Sequence, residues 1–184
     1  MGVLGETSGG NHGRCRLGLL RRFARNRDGV TAIEFAFLGL PFFLLIFAIL
    51  ESCIAFAAQE LLSNATDDVA RRFRTGQIKV EDNIDEQKLR QMICDRISIL
   101  VSNSCPGLAV DLQQFDTFED AARAATSFNE DGSIKTKVDP GPALTKNMLR
   151  VYYHWPIVTN RLAQTLPDGT MLLFASMTWQ NEPF

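Results

Sequence analysis

The sequence predicts an α+β protein, with one long N-terminal helix, a second helix and a small antiparallel β-sheet. Three observations predict it. An apolar run opens the first helix and shades into an amphipathic one. A second stretch repeats apolar residues at helical spacing. Behind it come segments that alternate apolar and polar residues, with turn residues between them. Helices first and strands afterwards fit an α+β domain with its sheet packed on helix.

The first element starts inside a run without charge, Phe35 to Leu50, FAFLGLPFFLLIFAIL, and continues as ESCIAFAA to Ala58. Sixteen residues make about 24 Å of helix, short of a bilayer core of roughly 30 Å. Adding Ser52 to Ala58 covers the core and leaves Glu51 toward the far end, as an interface marker or as a partner for another membrane helix. Repeated Phe, Leu and Ile leave no polar face, which a buried helix of a soluble domain would usually keep at one side. Pro41 removes one helical hydrogen bond and predicts a kink, or a locally melted turn.

Charge sets the direction. Residues 1–28 carry Arg14, Arg16, Arg21, Arg22, Arg25 and Arg27 against Glu6 and Asp28, while the formal net charge of the chain is -2. A basic start can serve nucleic acid, but placed directly before an apolar run it reads as topology information. The leader is expected in the cytoplasm and the C-terminal part exported. The organisation predicted is a basic leader at 1–29, a transmembrane helix at 30–58 and an exported α+β domain at 59–184. The apolar run is too long for a cleavable secretory signal, and no clean small-x-small site follows it.

Beyond Ala58, Leu62, Ala65, Val69 and Phe73 keep helical spacing, with Asn64, Asp67, Asp68 and Arg71 elsewhere around the helix. Arg71, Arg72 and Arg74 suit a helix C-terminus and Gly76 a stop. The membrane helix is thus expected to run straight on into the domain. The second helix is predicted from about Asp85 to Val101, on a stripe of Leu89, Ile93, Ile97 and Leu100. Strands are predicted at Leu108 to Gln113, Leu149 to Trp155 and Met171 to Trp179. Between the first two lies loop with a short helix at Glu119 to Ala125. Asn129-Glu130-Asp131-Gly132, Asp139-Pro140-Gly141-Pro142 and Pro167-Asp168-Gly169 read as turns.

The boundary before the apolar run reads RNRDGVTAIEF, Arg25 to Phe35. A glycine is followed by four residues, an acid and an aromatic. A carboxylate inside a membrane helix costs about 2.5–3.5 kcal/mol at its centre and less at the interface, so Glu34 asks for a reason. A basic leader, Gly29, Glu34 and Phe35 resemble the site of type IV prepilin peptidases. The Glu-Phe form resembles the tight-adherence (Tad, Flp-type) pilus proteins, and within them the TadE-like minor pseudopilins. The outer domain, the cysteine pair Cys94 and Cys105, and the tail Asn181-Glu182-Pro183-Phe184 agree with that resemblance.

The resemblance implies a pilin-like structural protein of pilus assembly and surface adhesion, cut between Gly29 and Val30 by a prepilin peptidase. It implies a single-pass protein of the bacterial inner membrane with a periplasmic domain. It also implies partners among other pilins, pseudopilins and Tad assembly proteins of that membrane, besides the lipid bilayer. The new amine at Val30 would lie one helical turn from Glu34, which would pair with it or with that of a neighbouring subunit. The plainer reading leaves Glu34 in the headgroup layer near Arg27. The rival for the whole chain is an unprocessed, signal-anchored periplasmic binding or scaffold protein.

Four cysteines are unevenly placed, Cys15 in the leader, Cys53 in the membrane helix, and Cys94 and Cys105 in the exported part. In an oxidising compartment the last two are expected to pair, with two free thiols as the alternative. No CxxC and no nearby histidine complete a metal ligand set. Of two histidines, His12 falls in the leader and His154 on a strand. No nucleophile elbow, phosphate-cradling loop or HExxH is present. The sequence therefore predicts neither catalysis, cofactor, metal, small-molecule substrate nor nucleic-acid binding.

Overall fold

A computed structural model of the chain describes residues 29–102, 104–130, 133–157 and 169–183. The leader up to Asp28, including Cys15 and His12, lies outside them. So do Pro167-Asp168, Asp131-Gly132 and Phe184 of the predicted turns and tail. The chain divides into two compact units, Met1–Ile46 and Phe47–Phe184. The described part of the first unit is helix. The second holds the rest of that helix and an α+β arrangement of two further α-helices and a three-stranded antiparallel sheet.

The first helix, α1, runs unbroken over Val30–Arg74, with Pro41 inside it. Within the second unit it buries Leu62, Ala65, Val69 and Phe73, the stripe expected from the spacing, together with Ala58 and Ala70. Gly76 ends it in the left-handed region at φ 69°, with the Gln77 N–H donating to the Arg72 carbonyl at 3.0 Å. That conformation is cheap only without a Cβ.

The second helix, α2, covers Glu86–Ile97. Asp85 is its N-cap, the carboxylate accepting from the Lys88 N–H at 2.8 Å. A cap of this kind contributes about 0.5–2 kcal/mol. The helix is shorter than predicted. Leu89, Ile93 and Ile97 are buried, but Leu100 stands outside on the turn that follows. Three strands follow the helices, β1 at Leu108–Phe115, β2 at Lys146–Pro156 and β3 at Thr170–Gln180. A short helix, α3, at Phe118–Arg123 stands where a short helix was expected, started by the Thr117 hydroxyl accepting from the Asp120 N–H at 3.0 Å.

The strand order is β1-β2-β3. The register sets Val110 opposite Val151 and Val151 opposite Ala175. Period-two alternation then collects Leu108, Val110, Leu112, Leu149, Val151, Tyr153, Leu173, Ala175 and Trp179 on one face. That face meets the stripes of α1 and α2 in a single core. Each fully buried Leu, Ile or Val there contributes roughly 1.5–3 kcal/mol of transfer free energy.

The other face is not the solvated polar face that alternation alone suggests. Asp111 and Arg150 sit on it, 2% and 5% exposed, with Arg150 Nη2 2.7 Å and Nε 3.0 Å from Asp111 Oδ2. Oδ1 of the same carboxylate accepts from the Lys137 N–H and from Gln113 Nε2, and Arg150 Nη1 donates to the Ala124 carbonyl. A buried ion pair survives only when its remaining valences are filled in this way. Here they fasten residues 124 and 137 of the long loop over the outer face of the sheet.

Candidate assembly segment

From Val30 onward α1 exposes large apolar side chains on every side. Phe35 is 69% exposed, Phe37 83% and Leu38 74%, and Phe42, Phe43, Leu44, Leu45, Phe47, Ile49, Leu50, Ile54 and Phe56 are all exposed. The helix contains a stretch long and apolar enough to cross a membrane, none of it buried against the protein. A bilayer core takes about 20 helical residues, fewer than half of the 45 in α1. Glu34 and Glu51 are the charged residues between Val30 and Ala58.

The boundary residues fall at the start of this helix. Gly29 immediately precedes Val30, and a Cβ built there would have nothing within 4 Å. The local fold therefore does not demand a glycine at this position. Val30 opens the helix, so Val30 and Glu34 are neighbours one turn apart on the same face. Glu34 and Phe35 are both exposed. Cys53 is an exposed free thiol, and the Ser52 hydroxyl donates to the Ala48 carbonyl at 2.8 Å, a back-bond that satisfies it inside the helix.

Cys94 and Cys105 are joined by a disulfide with their Cα atoms 5.8 Å apart. The bridge ties α2 to the turn before β1, and Arg90 Nη2 adds a 2.9 Å hydrogen bond to the Cys105 carbonyl. Among the described residues no cluster of His, Cys, Asp and Glu is arranged to hold a metal. His154 is half-buried on β2, its Nδ1 3.2 Å from the Thr170 hydroxyl. Burial pushes the Tyr153 phenol above its usual range, so it stays neutral in the core.

The C-terminal tail has a structural task that its residue types did not reveal. Asn181 is 4% exposed, and its Nδ2 donates to the carbonyls of Gly141 and Pro142 at 2.7 and 2.9 Å. Its Oδ1 accepts from Trp179 Nε1 at 2.8 Å. Glu182 then donates its N–H to the Arg74 carbonyl at the end of α1. At Gly141 a Cβ would collide with the Thr145 side chain, so the loop approaches too closely for any other residue. The tail thus locks the last turn of α1, the loop at 141–145 and the end of β3 together. Gln59 was missed as well. Its side-chain amide donates to the Phe174 carbonyl at 2.8 Å and accepts from the Phe174 N–H at 3.3 Å. The signal was present in the sequence, as the first polar amide after the apolar run, but its partner is 115 residues away.

No curated protein and no solved structure matches the chain. Residues 29–71 do match the model of the family described as TadE-like protein, the family that the boundary motif resembles.

Proposed function

We propose that the protein is a minor pseudopilin-like structural component of Tad (Flp-type) pilus biogenesis. One observation carries the reading. The TadE-like match begins at residue 29, the glycine at which the motif places the cut, and runs through the apolar helix into its amphipathic part. Cleavage after Gly29 removes the arginine-rich leader and leaves Val30 as a cationic N-terminus. Glu34, one turn along, pairs with that amine or with a neighbour's, which offsets the cost of an acid in lipid. The exposed apolar side chains face lipid before assembly and other pilin helices after it. The basic leader supports a cytoplasmic N-terminus, and the Cys94–Cys105 bridge suits an oxidising periplasm. The role is structural, with a prepilin peptidase, pilins and Tad inner-membrane proteins as partners.

The test is mass spectrometry of the full-length protein purified from membranes with and without a prepilin peptidase. The expected product begins at Val30, Gly29→Ala stays uncut, and Glu34→Ala is cut but fails to assemble. An intact N-terminus in the presence of the peptidase overturns the reading in favour of an unprocessed, signal-anchored protein.

A further inference from the structure

The two ends of the α+β domain differ in charge. At one end α1 closes at Arg74, the turn after it carries Lys79, Glu81 and Asp82, and the sheet finishes beside Lys146 and Glu182. At the other end Ser98 to Gly107, His154 to Ile157 and Gly169 to Leu172 contain no Asp, Glu, Lys or Arg. Residues 158–168, outside the described part, join β2 to β3 at this end and contain Arg161 and Asp168. Pairing brings the uncharged segments together. β2 finishes at Pro156 opposite Thr170, and Leu108 at the start of β1 lies opposite Tyr153. α2 points the same way. Its first residue, Glu86, accepts from the Thr136 hydroxyl, next to the Lys137 carbonyl that takes the Leu112 N–H, and the Cys94–Cys105 bridge holds its last turn just before β1. Ile99 and Leu100 follow on the turn beyond, 83% and 40% exposed. Pro156 is exposed too, and Trp155 and Met171 are half-buried against the core.

Hydrogen bonds set the level of this end against α1. Gln59 bonds Phe174, and the Glu182 N–H donates to the Arg74 carbonyl. Between those two points the helix rises about 22 Å and the extended chain about 26 Å, so they run side by side in one direction. Thr170, at the start of β3, lies about 13 Å back from Phe174, level with α1 about nine residues before Gln59. That level is near Leu50, within the apolar run. Ala55 and Ala58 are buried there, while Ile54 and Phe56 beside them are exposed. Residues 47–58 of the helix and the sheet belong to the same compact unit. A hydrocarbon core of about 20 helical residues, counted from Phe35, ends near Ile54. The uncharged end of the domain thus comes level with the edge of the bilayer.

We infer that this end is a lipid-binding rim, seated in the interfacial layer of the bilayer that α1 crosses. Ile99, Leu100 and Pro156 reach toward the acyl chains, and Trp155 takes the headgroup level that its amphipathic ring favours. Because the rim lacks charge in its described segments, it binds lipid without selecting anionic headgroups. The charged end then faces away from the membrane, in water. The inference goes beyond pilus assembly and rests only on the membrane-spanning reading of α1 proposed above.

The experiment uses the full-length chain carrying Cys15→Ser and Cys53→Ser, so that a nitroxide label reacts at one introduced thiol. Labels are placed singly by Ile99→Cys at the rim, Glu81→Cys at the charged end and Phe43→Cys within the membrane helix. The protein is reconstituted in phosphatidylcholine vesicles, and collision of each label with oxygen, which concentrates in lipid, and with a water-soluble nickel chelate is read by electron paramagnetic resonance. The expected oxygen-to-nickel ratio at Ile99 is at least about fivefold above that at Glu81 and below that at Phe43, as an interfacial depth requires. It should not change when phosphatidylglycerol is mixed in. A label-free reading uses Trp179→Phe, which leaves Trp155 as the fluorophore, and lipid brominated near the headgroup is expected to quench it. A ratio at Ile99 equal to that at Glu81 overturns the inference. So does poor access of both reagents, which would mean that protein covers the rim, and so does a requirement for anionic lipid. In each of these cases a lipid-like Phe43 leaves the anchoring standing, whereas a water-like Phe43 overturns the anchoring itself.

Discussion

Between Phe35 and Leu50, α1 exposes nearly all its large apolar side chains. Between Ala58 and Phe73 the same helix buries one stripe and leaves Asp67, Arg71 and Glu60 outside. The two stretches use overlapping residue types and the same backbone. They differ in what surrounds them. The second has a sheet and α2 to pack against, so a third of its circumference suffices. Among the described residues nothing buries the first, and a fully apolar circumference is stable only in lipid or among other apolar helices. Hydrophobicity alone therefore does not say what a helix does. The share of its circumference that is apolar does.

That contrast can be tested by paired substitutions. The largest effect is expected at Leu62, 1% exposed, where Leu62→Ala should cost about 2–5 kcal/mol of domain stability. The measurement is the urea midpoint of the second unit in detergent micelles, at unchanged slope. A cost under about 1 kcal/mol would mean that α1 does not anchor the core. Next comes Cys94→Ser, which opens a bridge of sequence separation 11 and should cost roughly 3 kcal/mol by the same measurement. The smallest effect is expected at Phe37, 83% exposed, where Phe37→Ala should change the domain midpoint by less than about 0.5 kcal/mol. Its effect should appear in assembly with other subunits instead. A destabilised domain in that variant would break the division between the two stretches.

Much of this was legible because it follows from short-range periodicity. The apolar run, the stripe Leu62-Ala65-Val69-Phe73, the stop at Gly76 and the alternation of β1, β2 and β3 each depend on residues a few positions apart. α2 was read as longer than it is because Leu100 continues its spacing, whereas the chain has already left the helix at Ser98. The boundary pattern of Gly29, Glu34 and Phe35 was equally plain, since it is written in seven neighbouring residues. The outer face of the sheet was not legible. Asp111 and Arg150 look like ordinary outward-facing strand residues until the register sets them side by side, 39 residues apart in sequence.

The sequence by itself determined the α+β class, the order of the elements, the apolar stretch fit to cross a membrane and the glycine-acid-aromatic boundary, because each is written in neighbouring residues. Only the tertiary structure decided that Cys94 bonds Cys105, that Asp111 and Arg150 pin the long loop, that Asn181 locks the tail, and that Gln59 bonds the outer edge of β3 at Phe174. Each of these depends on groups far apart in the chain meeting at hydrogen-bonding or covalent distance. Such meetings are fixed by strand register and helix packing, which local spacing does not contain.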